Sequence, residues 1–265
     1  MALRIQNNVE AFNAHRMLSG SSDKAAKAME RLSSGYRINR GADDAAGLAI
    51  SEKLRSQIRG LGQAQRNAQD GVSLVQTAEG SLNEVHNMLQ RVRELAVQFQ
   101  NGTLNTTDKD AIQNEADQLA SEISRIGSSA KFNGISLLDS TNTVTFQVGA
   151  DDADEIAVSK FSVSASVVAA SGTFSLSDIA SIDTKITDVA AARGEFGAVQ
   201  NRLEYTLANL ATYNENLVAS ESRIRDVDMA QEMVNFSKLQ ILQQAGTAML
   251  AQANQSPQGV LSLLR

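Results

Sequence analysis

The side chains able to do chemistry are few and scattered. His15 and His86 are the only histidines, and they stand far apart in the chain. Asp43-Asp44, within RGADDAAG, could form a carboxylate pair for acid–base work. Placed just ahead of an apolar-periodic run, they read more simply as an acidic helix start that complements the helix dipole. Asp151, Asp152, Asp154 and Glu155, in GADDADE, could gather calcium, but they lack the spacing and terminal Glu of an EF-hand loop. A solvated hairpin turn is the simpler reading. With no cysteine in the chain, a disulfide framework and a thiolate metal site are both ruled out. The seven methionines suit soft packing better than ligation. No HExxH, GxSxG, P-loop or dinucleotide fingerprint occurs. The sequence predicts a non-enzyme with no catalytic, cofactor or metal site.

Composition points instead to helices. The 265 residues are 42% hydrophobic, 20% charged and only 4% aromatic, with no Trp and a single proline, Pro257. Few breakers and abundant Ala and Gln favour long helices, and small side chains suit close helix–helix contact. No stretch approaches the roughly 18 apolar residues that span a bilayer, so no membrane insertion is expected. The N-terminus has no unbroken apolar run and does not read as a secretory signal peptide. Net charge is −6, unevenly spread, and residues 1–40 carry +4. Interleaved acids and the absence of stacking aromatics make that arm a solvated helix face rather than a nucleic-acid site.

The strongest pattern runs from 47 to 99. Gly47, Ile50, Leu54, Gln57, Leu61, Ala64, Ala68, Gly71, Val75, Ala78, Leu82, Val85, Leu89, Val92, Ala96 and Phe99 alternate steps of three and four, which is a coiled-coil seam. At 1.5 Å per residue such a helix is about 80 Å long. Gly71 lies on the seam and permits close approach; Gly60, Gly62 and Gly80 have no evident reason. A shorter helix follows, with Ile112, Ala116, Leu119, Ile123 and Ile126 in the same rhythm and Thr107 or Asp108 as its expected cap. Asn133-Gly134 signals a turn. Val144, Phe146 and Val148 alternate with polar residues as a half-buried strand, and EIAVSKFSV is its expected partner. Residues 164–176 read as a short connection or loop tip. Ile182, Val189, Phe196, Leu203, Leu210, Leu217 and Ile224 then repeat every seven residues. Their companion line is interrupted by Arg193, Gln200, Asn214 and Glu221, which fix register and partner. The phase shifts at RDVDM.

Both chain ends carry apolar helical faces: Ile5, Val9 and Phe12, then Ala25, Ala28 and Leu32, at one end. Val227, Met233, Val234, Phe236, Ile241, Leu242, Met249 and Leu250 lie at the other. The fold class expected is mainly α, with long antiparallel coiled-coil helices from both chain ends and a small β-hairpin region. The terminal helices form a second coiled-coil domain. Residues 1–43 pair with 223–265, while 44–177 and 178–222 form the long-helix domain. Two terminal helices alone cannot bury so wide an apolar face, so neighbouring copies are expected to cover it.

Several stretches carry a specific resemblance. ERLSSGYRINRGADDAAGLAISEKLRSQIRGL, QDGVSLVQTAEGSLNEVHNMLQRVRELAVQ, FNGISLLD, FQVGA, GAVQNRLEYTLANL, ESRIRDVDMAQEM and QILQQAGTAMLAQANQSPQGVLSLLR all resemble bacterial flagellin, in order and at the expected ends. The resemblance covers nearly the whole chain except about 164–176. It implies a secreted structural subunit of the flagellar filament, exported unfolded by the flagellar type III apparatus and polymerised beneath a cap for swimming motility. It further implies a homopolymer with a helical lattice, junction with hook-associated proteins, and a filament left thin and smooth by the near-absent outer insertion. An export chaperone is implied for about 225–262. The motif QRVRELAVQ resembles the contact region of flagellins bound by Toll-like receptor 5, which implies Gln90, Arg91, Leu95 and Gln98, with Glu115 on the following helix, as receptor-binding residues. Leu119 stands where a receptor-binding relative has a basic residue. A hook–filament junction protein and a cytosolic coiled-coil adaptor are the alternatives.

Overall fold

The computed structural model describes residues 8–140, 142–168 and 174–263. The chain forms two compact units, Met1–Ser56 with Leu217–Arg265, and Gln57–Asn216. The helices are α1 (Val9–Ser34), α2 (Ala45–Phe99), α3 (Thr106–Ser129), α4 (Val163–Ser166), α5 (Ile179–Arg225) and α6 (Met229–Leu263). Two hairpins lie between α3 and α4: β1 (Lys131–Phe132) with β2 (Ile135–Ser136), and β3 (Thr143–Gln147) with β4 (Glu155–Ser159). The fold is mainly α, as the three–four spacing requires.

The unit 57–216 is built on the predicted seam. Leu61, Ala64, Ala68, Val75, Ala78, Leu82, Val85, Leu89, Val92 and Ala96 of α2 are buried, and so are Ile182, Val189, Phe196, Leu203 and Leu210 of α5. The two helices run antiparallel. Arg93 pairs with Asp183, Arg193 with Glu79 at 3.7 Å, and Gly71 lies against Leu203. A Cβ at Gly71 would sit 3.2 Å from Leu203 Cδ1 and 3.4 Å from the Phe146 ring, so the glycine permits the approach expected of it. Gly60 gains a reason too: its Cα faces Ala150 of the hairpin turn, 3.3 Å from where a Cβ would lie.

α3 is capped two residues before Thr107, the earlier of its two expected caps. Asn105 is the N-cap; its side chain accepts from the Asp108 N–H at 2.8 Å, and the Asp108 carboxylate in turn accepts from the Asn105 N–H. That reciprocal pair is a capping box, which places Thr107 and Asp108 inside the first turn. Asn133 and Gly134 take φ of 49° and 81°, the left-handed pair that a two-residue hairpin turn demands. In the second hairpin, Val144 faces Val158 and Phe146 faces Ile156, and this face packs on the core.

The segment 164–176 is more than a loop tip. β4 ends at Ser159, short of the expected strand, and α4 begins at Val163. Val163, Val167, Val168, Phe174 and Leu176 are buried in the core. Gln113 donates to the Phe174 carbonyl at 3.0 Å and Gln100 to that of Ser177 at 3.1 Å. The described residues of the connection therefore pack into the helical core, and 169–173 lie outside the described residues.

In the other unit, α1 and α6 pack against each other in antiparallel register. Asn8 Nδ2 donates to the Ala253 carbonyl at 2.7 Å, Leu18 lies over Gly246, and Arg31 approaches Glu232 at 3.9 Å. Gly35, at φ 76°, ends α1 in the left-handed conformation. Asp228 caps α6, accepting from the N–H groups of Ala230 and Gln231. This is the phase shift seen at RDVDM. The two breaks are tied together: Arg37 N–H donates to the Arg225 carbonyl at 2.7 Å, and Val227 N–H to that of Gly35 at 3.0 Å. The Arg225 guanidinium lies 4.8 Å over the Tyr36 ring and pairs with Glu52 at 2.7 Å.

Candidate assembly surface

The acids singled out for possible chemistry have local structural work. Asp44 accepts from the Gly47 N–H at 2.9 Å at the start of α2. Asp43 accepts from the Arg40 and Asn39 N–H groups, which hold its carboxyl below the usual carboxylate range. The GADDADE acids form the exposed turn of the second hairpin. Among the described residues, no group of three or more His, Asp and Glu is placed to hold a metal ion, and no helix is long and apolar enough to cross a membrane.

What stands out is uncovered apolar surface. In the unit holding α1 and α6, the buried hydrophobic residues among those described are Ala25, Ala28 and Ile38. No described side chain of α6 is buried. Meanwhile Val9 is 54% exposed, Phe12 71%, Val234 69% and Ile241 66%, with Met233, Leu242 and Met249 also exposed. Val227, Phe236 and Leu250 are half-buried, and Ile5 lies outside the described residues. Of these, Met233, Val234, Ile241, Leu242 and Met249 line two apolar hollows. One, of 850 Å³, runs between α1 and α6 past Met17, Leu18, Leu242, Gly246 and Met249. The other, of 480 Å³, lies on α6 among Met233, Val234, Ile241 and Leu242. Monomers rarely leave so continuous an apolar face in water.

The seam itself loses its cover at this end. Ile50, assigned to the α2 seam, is 52% exposed, and Leu54 is half-buried. On α5, Leu217 and Ile224 are likewise only half-buried.

The second candidate patch lies in the unit 57–216. Arg91 bridges two acids: its guanidinium donates to Glu115 Oε1 at 2.9 and 3.1 Å and to Glu94 Oε2 at 3.0 Å. These bonds, that to Glu115 foremost, push the Arg91 pKa up. Gln90 contacts the His86 ring at 2.9 Å, and Gln90 and Gln98 are exposed. Leu95 is placed differently. It is 1% exposed within the core, so it can position its neighbours but presents no surface. A third feature escaped the sequence reading: a 760 Å³ groove between the hairpin turn and α5, edged by Tyr205 and Tyr213. Tyr205 lies two residues past the buried Leu203, on the opposite side of α5, so its exposure was readable, but the hairpin wall opposite was not.

Residues 5–143 match the family model described as the bacterial flagellin N-terminal helical region, and 179–264 match the flagellin C-terminal helical region. A flagellin of Halalkalibacterium halodurans is 53% identical over 98% of this chain and 99% of its own length. A flagellin of Bacillus subtilis is 47% identical over 99% and 100%. Among solved structures, the crystal structure of Bacillus cereus flagellin is similar with a TM-score of 0.50 at 34% identity, covering 55% of this chain and 88% of that one. Only residues 160–178 join β4 to α5, which leaves no room for an outer domain. A self-sufficient helical unit followed at both ends by helices that keep their large apolar residues in water thus goes with end-to-end likeness to filament proteins, and the chain belongs to the bacterial flagellin family as a structural subunit of the extracellular flagellar filament.

Proposed function

We propose that polymerisation runs through the α1–α6 face, with Val9, Phe12, Met233, Val234, Ile241 and Met249 entering contacts with neighbouring copies. One observation carries this reading: α6 offers no buried side chain among those described, while its large apolar residues stand exposed. Covering such a face is the dominant favourable term in association. Ile5, Val227, Phe236, Leu242 and Leu250 extend the same stripe in the sequence pattern. On this reading residues 1–43 with 223–265 are the inner layer of the filament. The same apolar helix needs shielding before assembly. An export chaperone with a hydrophobic groove would hold about 225–262 as a helix-in-groove ligand, and the chain would pass unfolded through the flagellar type III apparatus to a cap. Seeding purified full-length protein with filament fragments tests the core of this. Electron microscopy should show long, smooth filaments, while a chain ending at Asp226 should stay monomeric with the unit 57–216 still folded. Filaments from the shortened chain would refute the assignment.

A second reading concerns Arg91 and Glu115. Their fixed ion pair, flanked by Gln90 and Gln98, is a rigid polar patch on two packed helices, and Leu95 beneath it holds the helix in place. We infer that it is the surface a Toll-like receptor 5 ectodomain would engage. Arg91→Ala should abolish binding of that ectodomain in a pull-down while leaving the melting temperature unchanged; undiminished binding would refute it.

A further inference from the structure

The sulfur of this chain is concentrated where assembly is proposed to occur. Met17 is 70% exposed, Met29 51%, Met229 48%, Met233 51% and Met249 65%, and all five lie on α1 or α6. Met88, in the other unit, is partly buried against the core. Met17 and Met249 line the same hollow between α1 and α6, and Met233 shares the α6 hollow with Val234 and Ile241. The chain has no cysteine. With no thiol to react first, exposed thioethers are the side chains most open to two-electron oxidants.

We propose that these five methionines are a modification site whose oxidation by a peroxide makes the free subunit unfit to assemble. The thioether sulfur attacks one oxygen of hydrogen peroxide. An S–O bond forms, the O–O bond breaks, and the departing hydroxide takes the proton from the new sulfur-bound hydroxyl and leaves as water. Sulfur loses two electrons and the peroxide gains two, giving methionine sulfoxide. The product is polar and chiral where the parent was apolar and pliant. The folded subunit loses little, because these side chains already stand in water. The polymer loses much, because a sulfoxide buried against an apolar neighbour keeps no hydrogen-bond partner. Once assembled, the same sulfurs are covered, so oxidation acts on the subunit before incorporation. This inference rests on the α1–α6 face being the polymer contact.

The test uses full-length protein treated with hydrogen peroxide as free subunit and as filament, followed by peptide mass mapping and seeded elongation. In the free subunit, one oxygen should appear at Met17, Met29, Met229, Met233 and Met249 well before Met88. Elongation should fall roughly tenfold or more for each oxidised contact, the melting of the unit 57–216 should not move, and the two stereospecific methionine sulfoxide reductases should restore elongation. Filaments should resist the same dose. A variant with leucine at the five positions, close in volume and not oxidisable, should elongate regardless of peroxide. Should that variant fail to assemble, reductase rescue of the native protein still decides. Oxidised subunits elongating at the untreated rate, a loss the reductases cannot reverse, or Met88 oxidising as fast as the five would each overturn the proposal. Untreated protein that never elongates would overturn the filament contact instead, and the order of oxidation on the free subunit would still support or refute the site.

Discussion

Val234 and Ile241 offer a direct measure of what the uncovered face contributes. They lie two turns apart on one side of α6, 69% and 66% exposed. Fully burying a side chain of this size is worth about 1.5–3 kcal/mol. With about two-thirds of each still in water, assembly has about 1–2 kcal/mol left to gain per residue. Two turns set them about 10 Å apart along the helix, so the two contributions add to at most about 2–4 kcal/mol. At 1.4 kcal/mol per factor of ten, Val234→Ser with Ile241→Ser should raise the critical concentration for seeded elongation about 30- to 700-fold. Sedimentation of filaments across a dilution series reads that concentration, and circular dichroism of the free subunit should be unchanged because nothing buried is touched. An unaltered critical concentration would mean that both side chains stay in water in the polymer. The inference from exposed apolar area to assembly contact would then be wrong.

Other substitutions probe the frame. Gly71→Ile should lower the stability of the unit 57–216 by about 1–3 kcal/mol through overpacking against Leu203 and Phe146. Gly80→Ala, with nothing within 4 Å of the added carbon, should raise it by up to about 1 kcal/mol; thermal melts distinguish the two. Asn105→Ala removes half of the capping box and should cost about 1 kcal/mol by chemical denaturation. The hydrogen bond from Arg225 holds the Glu52 pKa below its ordinary 4.5. A depressed carboxyl contributes above its unfolded pKa and loses that contribution as pH falls through the folded value. The Glu52–Arg225 tie should therefore hold at neutral pH and fail in acid, and Glu52→Gln should remove that acid step from a pH titration of helicity.

The helices were legible because a seam read in steps of three and four leaves little choice of partner face. The buried residues from Leu61 to Ala96 are the ones the spacing selects. Where the pattern thins, reading fails for physical reasons. Phe174 and Leu176 are lone apolar residues in a Ser- and Ala-rich stretch, without a period to show that they plug the core. The run Asn105-Thr106-Thr107-Asp108 offers four residues able to cap, and only backbone geometry at Asn105 chooses among them. Ile50 keeps the seam rhythm yet stands exposed, because rhythm reports which face is apolar and says nothing of whether that face is covered. Within QRVRELAVQ the same period that exposes Gln90, Arg91 and Gln98 turns Leu95 inward, beside Val92 and Ala96. The likeness of the motif could not separate the surface positions from the one beneath them.

The arrangement of sizes on the terminal helices explains why one chain is not enough. A self-sufficient pair puts its large apolar residues between the helices and its small ones outside. Here the order is reversed. Ala25 and Ala28 occupy the buried positions of α1, and Leu18 meets Gly246 across the pair. Small side chains bring the two axes together and leave Phe12, Met17, Val234 and Ile241 on the outer surface. Close approach gives the pair a defined register, fixed by Asn8 at one end and the Arg225–Tyr36 tie at the other, but little buried area. Most of the hydrophobic free energy of this unit therefore stays unrealised in the single chain, and would become available if further copies covered the outer faces as proposed. If the proposed α1–α6 contact holds, that division would let a subunit keep a stable long-helix unit before assembly while the ends carry the driving force for growth.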